Sequence, residues 1–301
     1  MVEKFRGAVI GFAVGDALGM PVEGMKREDI KRYYGKISDF VDSPLGDLKA
    51  GEWTDDTEQM IILANSILKT RTFSPEQFAK DILNLRSNRI GWTTRRALKN
   101  LSLGCSWINS GVESETCGSS VRVLPIGLVY SFNLDLVEEY SALSSCVTHK
   151  GIAIAGAIAF GIGIACVYNG MDHEEVVREV QRRVRKYDEL IADKIRLSYD
   201  ISDKDVDFAI DKIGNSVSVY ESVPLAFYLF FSTSDFEECA VKSANVGGDA
   251  DSISAMACAL KGCERGISDI PNRWIRKLKD CDYLMELADR LYDLKLILEF
   301  I

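Results

Sequence analysis

Apolar residues recur at helical spacing along most of the chain. Met60, Ile61, Leu63, Ala64, Ile67 and Leu68 show the pattern most cleanly. The same period predicts helices over 5–14, 136–147, 174–191, 217–231, 236–245, 253–260 and 274–300, with 174–191 strongly charged on one face. Alternating strand patterns are scarce, and there are only six prolines. No unit of 20–50 residues repeats, and no linker rich in Ser, Pro and Gly divides the chain. The expected fold is all-α: one compact many-helix domain over residues 1–301.

Residues 151–170 carry no charge. Five glycines and five alanines make the stretch small rather than greasy. A membrane span needs about 20 apolar residues, and nothing else in the chain is expected to stay apolar for that long. The reading is a buried core helix whose small side chains admit close neighbours, with no membrane contact.

Composition narrows the classes. Of 301 residues, 47% are apolar and 27% charged, which excludes a disordered chain, a fibre or a small disulfide scaffold. The net charge is −9 and the pI about 5.0, so nucleic acid is not expected as the main partner. Eight cysteines form no C-x-x-C pair, and His149 and His173 are the only histidines. Reduced thiols and an N-terminus without a secretory signal pattern point to the cytoplasm.

Three segments fit a plain helix bundle poorly. In 53–58, Trp-Thr-Asp-Asp-Thr-Glu, an apolar helical pattern follows at once. Thr54 or Asp55 could cap that helix, and Asp55 with Glu58 has capping-box spacing. One acid would suffice for capping, however. Thr54, Asp55 and Asp56 also place hard oxygen donors in a single turn, as Mg²⁺ prefers. In 247–252, Gly-Gly-Asp-Ala-Asp-Ser, Asp249 and Asp251 again precede an apolar helix, with either capping or cation binding as the reason. In 15–24, Asp16 lies towards the end of a helix, where the dipole disfavours it. Glu23 there reads as a ligand, an acid/base group or a solvated turn residue. Two Asp pairs, each beside a hydroxyl, could build a two-metal site if the fold brings them together.

These segments, in this order, resemble the ADP-ribosylglycohydrolase family. The pattern is Gly15-Asp16-Ala17-Leu18-Gly19 with Glu23, then Trp53 to Thr57, then Gly247 to Ser252. The resemblance implies an all-α fold with two Mg²⁺ (or Mn²⁺) ions in a central cleft. It implies Thr54, Asp55, Asp56, Asp249, Asp251 and Ser252 as metal ligands. It gives Glu23, Asp55 and Asp249 catalytic roles, with either Glu23 or a metal-bound aspartate as general base. Residues 118–127 resemble the family's substrate loop, with Cys117 in place of Asn and Val121 in place of Met. Thr148-His149 resembles a Ser/Thr-His element near the phosphates. Gly118, Ser119, Ser120, Arg122 and His149 are therefore implied as substrate contacts. Read alone, His149 suits a buried core residue and Arg122 a surface charge.

The implied activity is hydrolysis of the glycosidic bond at the distal ribose of an ADP-ribosyl group. The substrate would be an ADP-ribosylated protein or an ADP-ribose-containing small molecule, and a monomer is the default. An all-α prenyl synthase is a poorer match, because Asp55-Asp56-Thr57-Glu58-Gln59 does not complete D-D-x-x-D. The alternative from another class is a non-catalytic structural or ADP-ribose-binding member of the same fold, although retention of all four aspartates favours the enzyme.

Overall fold

The computed structural model describes residues 1–300. In chain order its helices are α1 (Val2–Gly19), α2 (Arg27–Tyr34), α3 (Asp55–Thr70), α4 (Pro75–Asp81), α5 (Trp92–Ser102), α6 (Trp107–Ser110), α7 (Leu124–Val129), α8 (Leu134–Cys146), α9 (Ala153–Tyr168), α10 (His173–Val184), α11 (Glu189–Asp200), α12 (Val206–Ile213), α13 (Ser222–Phe231), α14 (Phe236–Ala244), α15 (Ala250–Arg265), α16 (Asn272–Ile275) and α17 (Cys281–Glu299). The strands among the described residues are two short ones, β1 (Val112–Glu113) and β2 (His149–Lys150). They pair in parallel with Val112 opposite His149.

The antiparallel pair α1 and α15 forms the centre. Glycine occupies every fourth position of α1, at 7, 11, 15 and 19, which places all four on one face. A Cβ at Gly7, Gly11, Gly15 or Gly19 would collide with the backbone of Gly262, Cys258, Ser254 or Ala250 respectively. The two helices therefore meet backbone to backbone. This seam carries the end of α1 to the start of α15, where the 15–24 and 247–252 segments meet.

Helix α9 is buried along almost its whole length, as expected for 151–170. Gly156 lies against Val219 and Ser120, and Gly163 against Phe227. A second stretch was not foreseen: Val2–Val22 is also long and apolar enough to cross a membrane, and it too is packed inside the fold.

Three predicted helices are divided or shortened. The 174–191 pattern breaks after Val184, because Asp188 caps a new helix by accepting from Ile191 N at 2.7 Å. Helix α13 begins only at Ser222. Before it, the chain is drawn out against the 115–117 segment: Cys117 N donates to Val217 O at 2.9 Å and Val219 N to Glu115 O at 2.7 Å. The 274–300 pattern is interrupted at Asp280, whose φ of 55° is left-handed, and α17 starts after it.

Candidate functional site

Each of the three acidic segments lies at a helix end. Thr54 is the N-cap of α3, with its hydroxyl accepting from Asp56 N at 3.3 Å. Asp55 and Asp56 therefore occupy the first turn, where helical N–H groups favour negative charge. Glu58 closes no capping box. Its carboxylate instead accepts from Arg86 N at 2.8 Å and Ser87 N at 2.9 Å, latching the 84–91 loop onto α3. Asp249 is the N-cap of α15, and Asp251 and Ser252 follow in its first turn. Gly247 and Gly248, both at positive φ, make the tight entry, and Gly248 pairs with the 24–25 backbone through Gly24 N to Gly248 O (2.7 Å) and Gly248 N to Met25 O (2.9 Å).

The two aspartate pairs come together. Ser252 donates its hydroxyl to Asp56 Oδ2 at 2.7 Å, across 196 residues of sequence. Thr54, Asp55, Asp56, Asp251 and Ser252 are all buried. Asp16, at the end of α1, completes the floor. It is fully buried and accepts from Thr54 N (3.1 and 3.0 Å), Thr57 N (3.1 Å) and Thr57 Oγ1 (2.6 Å). An acid poorly placed on its own helix thus caps the start of another.

Among the described residues no Lys or Arg bonds to Asp55, Asp56, Asp249 or Asp251. Burial, and for most of the acids one another's charge, push these carboxyls up. Asp16 rises to about 6 and Asp249 to about 6, each chiefly through burial. Asp55 rises to about 7 through burial and the charge of Asp16. Asp56 is pushed well up by burial and then by Asp55, and Asp251 by burial and then by Glu23. Individual contacts hold the cluster. Gln59 donates to Asp55 Oδ2 at 3.0 Å, and Cys117 donates its thiol to Asp249 Oδ2 at 3.0 Å.

A divalent cation suits this set chemically. The donors are hard oxygens, mostly buried and acidic, and among the described residues no basic side chain hydrogen-bonds to the four aspartates. The geometry is not that of a closed metal site: among the described residues no three Asp, Glu, His or Cys side chains surround one ion-sized point. Ser252 and Cys117 each engage one carboxylate oxygen, of Asp56 and Asp249 respectively.

The 118–122 segment flanks the cluster but points little of itself outward. Ser119 pairs with Ser145 at 2.8 Å, and Ser120 is buried against Gly156 with no hydrogen-bond partner. Arg122 is no surface charge. It is fully buried over the Phe78 ring and donates to Gln59 Oε1 (3.1 Å), Ser144 O (2.6 Å) and Thr148 Oγ1 (2.8 Å). It therefore stands behind the acids, one residue removed from Asp55. His149 is buried, with Nδ1 2.7 Å from Thr148 Oγ1 and Nε2 facing Gly118. Burial and the Arg122 charge pull it down to about 3, so its ring is neutral.

Glu23 sits at the rim, half-exposed, and its carboxylate accepts from Arg89 at 2.9 Å. A cleft of about 810 Å³ elsewhere, lined by Arg27, Ile30, Lys36, Val241 and Lys242 among others, includes none of the sequence-predicted site residues.

Residues 1–296 match the ADP-ribosylglycohydrolase family. An uncharacterized protein of Archaeoglobus fulgidus is 52% identical over 299 residues, covering 98% of this chain and 97% of its own. ADP-ribosylarginine hydrolase Tri1 of Pseudomonas putida is 27% identical over 307 residues, covering 97% of this chain and 78% of its own. A solved ADP-ribosylglycohydrolase-related protein complex contains a chain that superposes with a TM-score of 0.77 at 26% identity, covering 98% of both chains.

Proposed function

The chain belongs to the ADP-ribosylglycohydrolase family, whose characterised members hydrolyse glycosidic bonds of ADP-ribose, and we propose that it cleaves the bond at the distal ribose of an ADP-ribosyl group with two Mg²⁺ or Mn²⁺ ions. The observation that carries the reading is the Ser252–Asp56 hydrogen bond, which joins two acidic helix starts into one buried cluster without a basic partner.

Thr54, Asp55, Asp56, Asp249, Asp251 and Ser252 would hold the ions. When bound there, the ions would supply Lewis acidity and offset the repulsion among the acids. Cleavage at an anomeric carbon develops positive charge on the sugar, and the buried carboxylates favour that charge electrostatically. A base must take a proton from the attacking water, and Glu23 or one of Asp55 and Asp249 fills that role. Neutral His149 offers a hydrogen bond towards the Gly118 turn without adding charge. Arg122 keeps Gln59 against Asp55, and so orients the ligand set from behind. The substrate class is an ADP-ribosylated protein or an ADP-ribose-containing small molecule.

The test is release of ADP-ribose from a panel of substrates with arginine, serine and small-molecule linkages, run with Mg²⁺, with Mn²⁺ and with chelator. Asp55→Asn/Asp56→Asn runs beside it. The expected result is release that chelator abolishes and the double variant lacks. Full release in chelator would remove the metal assignment. No release from any substrate, with no Mg²⁺ binding, would favour the non-catalytic alternative.

A further inference from the structure

We propose that Arg89 is the positioning residue of Glu23, and that the same guanidinium braces the 41–52 segment against the rim of the acidic site. The part concerning catalysis rests on the hydrolase reading above.

Arg89 uses four N–H directions on three groups. One terminal nitrogen donates to Glu23 Oε2 at 2.9 Å. Nε and the other terminal nitrogen grip both oxygens of Asp47, at 2.8 and 2.9 Å, and that second nitrogen also donates to Ser43 Oγ at 2.8 Å. The Arg89 side chain is only 11% exposed, whereas Glu23 and Asp47 are 42% and 41% exposed. The guanidinium is thus the buried hub, and the two carboxylates approach it from outside. Asp47 responds as a gripped carboxylate should: its bond to Arg89 holds it far below the usual range.

Arg89 is itself anchored. The residues just before it, Arg86 and Ser87, give their backbone N–H groups to Glu58, one turn along α3 from Asp55. Ser87 Oγ accepts from Arg89 N at 3.2 Å. A continuous chain of contacts therefore runs from the first turns of α3, through Glu58 and the 86–89 loop, to Glu23.

Glu23 needs such a partner. Its charge adds to those of Asp55, Asp249 and Asp251, and like charges at that range drive a half-exposed carboxylate towards solvent. Among the described residues, Arg89 is the one group that hydrogen-bonds to the Glu23 side chain. A lysine could supply charge but no planar fork, so it could not hold Glu23, Asp47 and Ser43 together.

Two readouts on the full-length protein with Mg²⁺ decide the matter. The first is amide hydrogen exchange over 22–26 and 41–52 in wild type, Arg89→Ala, Arg89→Lys and Asp47→Asn. Exchange at least tenfold faster in both segments is expected for Arg89→Ala. Asp47→Asn, on the exposed side of the brace, should loosen 41–52 in the same way even if Arg89→Ala folds poorly. The second readout is kcat and KM on whichever panel substrate is cleaved, with free guanidinium ion added back. Arg89→Ala should lose at least tenfold in kcat with KM within threefold and Mg²⁺ affinity unchanged. Guanidinium should restore part of the loss, and Arg89→Lys should recover little. In a Glu23→Gln background, Arg89→Ala should cost far less, because the residue acts through Glu23. Unchanged exchange in 22–26 and 41–52 would overturn the brace, and unchanged kcat, or an equal loss with and without Glu23, would overturn the positioning role. If no panel substrate is cleaved, the hydrolase reading fails while the exchange data still decide the brace.

Discussion

Thr57 gives its hydroxyl to Asp16 at 2.6 Å, and the backbone N–H groups of Thr54 and Thr57 point at the same carboxylate. The end of α1 thereby supplies the cap that fixes the first turn of α3, the turn that presents Asp55 and Asp56. Asp16→Ala leaves these buried donors without a partner. The expected loss is about 3 kcal/mol, from the missing cap and the unsatisfied groups. Thr57→Val, which keeps the carboxylate, should lose about 1 kcal/mol. Urea unfolding checks both, read as a lower midpoint at an unchanged m-value. A midpoint unmoved by Asp16→Ala would mean that this carboxylate does not set the helix start.

The acidic cluster gives the chelated protein an unusual pH dependence. Asp16 and Asp249 keep their protons to about 6 and Asp55 to about 7 in the folded state. Unfolded aspartates lose theirs near 3.9. Between these values the folded state binds more protons than the unfolded one, so stability falls as pH rises. In chelator, Tm should decline from about pH 4 to about pH 7, and saturating Mg²⁺ should flatten or reverse the decline. A chelated Tm that climbs over this interval would contradict the repulsion seen in the cluster.

Arg122 distinguishes a strut from a substrate contact. Its head group is enclosed by Gln59, Ser144, Thr148 and the Phe78 ring. Arg122→Ala opens a cavity and strands three acceptors, at about 3–5 kcal/mol. The defect should appear in chemical denaturation without any ligand. If Arg122→Ala unfolded at the wild-type denaturant midpoint and only weakened substrate binding, its place would be on the ligand side.

The α1–α15 seam predicts a sharp contrast between glycines. In Gly15→Ala the new methyl meets Ser254 backbone, and about 1–3 kcal/mol should be lost by overpacking. Gly91→Ala meets nothing within 4 Å and has an ordinary negative φ, so its effect should stay within about 1 kcal/mol. Equal unfolding midpoints for the two variants would mean that the seam yields easily.

How much of this was legible in the chain depends on where the interaction partner lies. Asp55, Asp56, Asp249 and Asp251 stood out because acids cluster locally at the start of apolar patterns, and the structure brings both pairs into one cluster. Asp16 stood out only as misplaced. Its partners are two backbone amides and one threonine hydroxyl, 38 and 41 residues away, and amides leave no mark in a sequence. Arg89 escaped notice for a related reason: its carboxylates lie 42 and 66 residues off, on loops with no periodic pattern. Helix α5 was missed too, since Trp92, Thr93 and Thr94 begin a short segment with one narrow buried stripe. The break after Val184 had a readable sign in Asp188, a good cap residue inside a long charged run. The glycines at 7, 11, 15 and 19 had a plainer one, because a spacing of four marks a single helix face.

That glycine face has a mechanical meaning. At all four glycines the nearest atoms of α15 are backbone, so over a length of about 18 Å the two helices meet with little side chain between them that could change rotamer. They behave as one beam. One end carries Asp249 and Asp251. Near the other, Phe5 is set edge-on against both Tyr168 and Tyr292. The acidic cluster and this aromatic trio are thereby joined through one stiff element, and the near-ultraviolet circular dichroism of the tyrosines is where a shift of that element is expected to show.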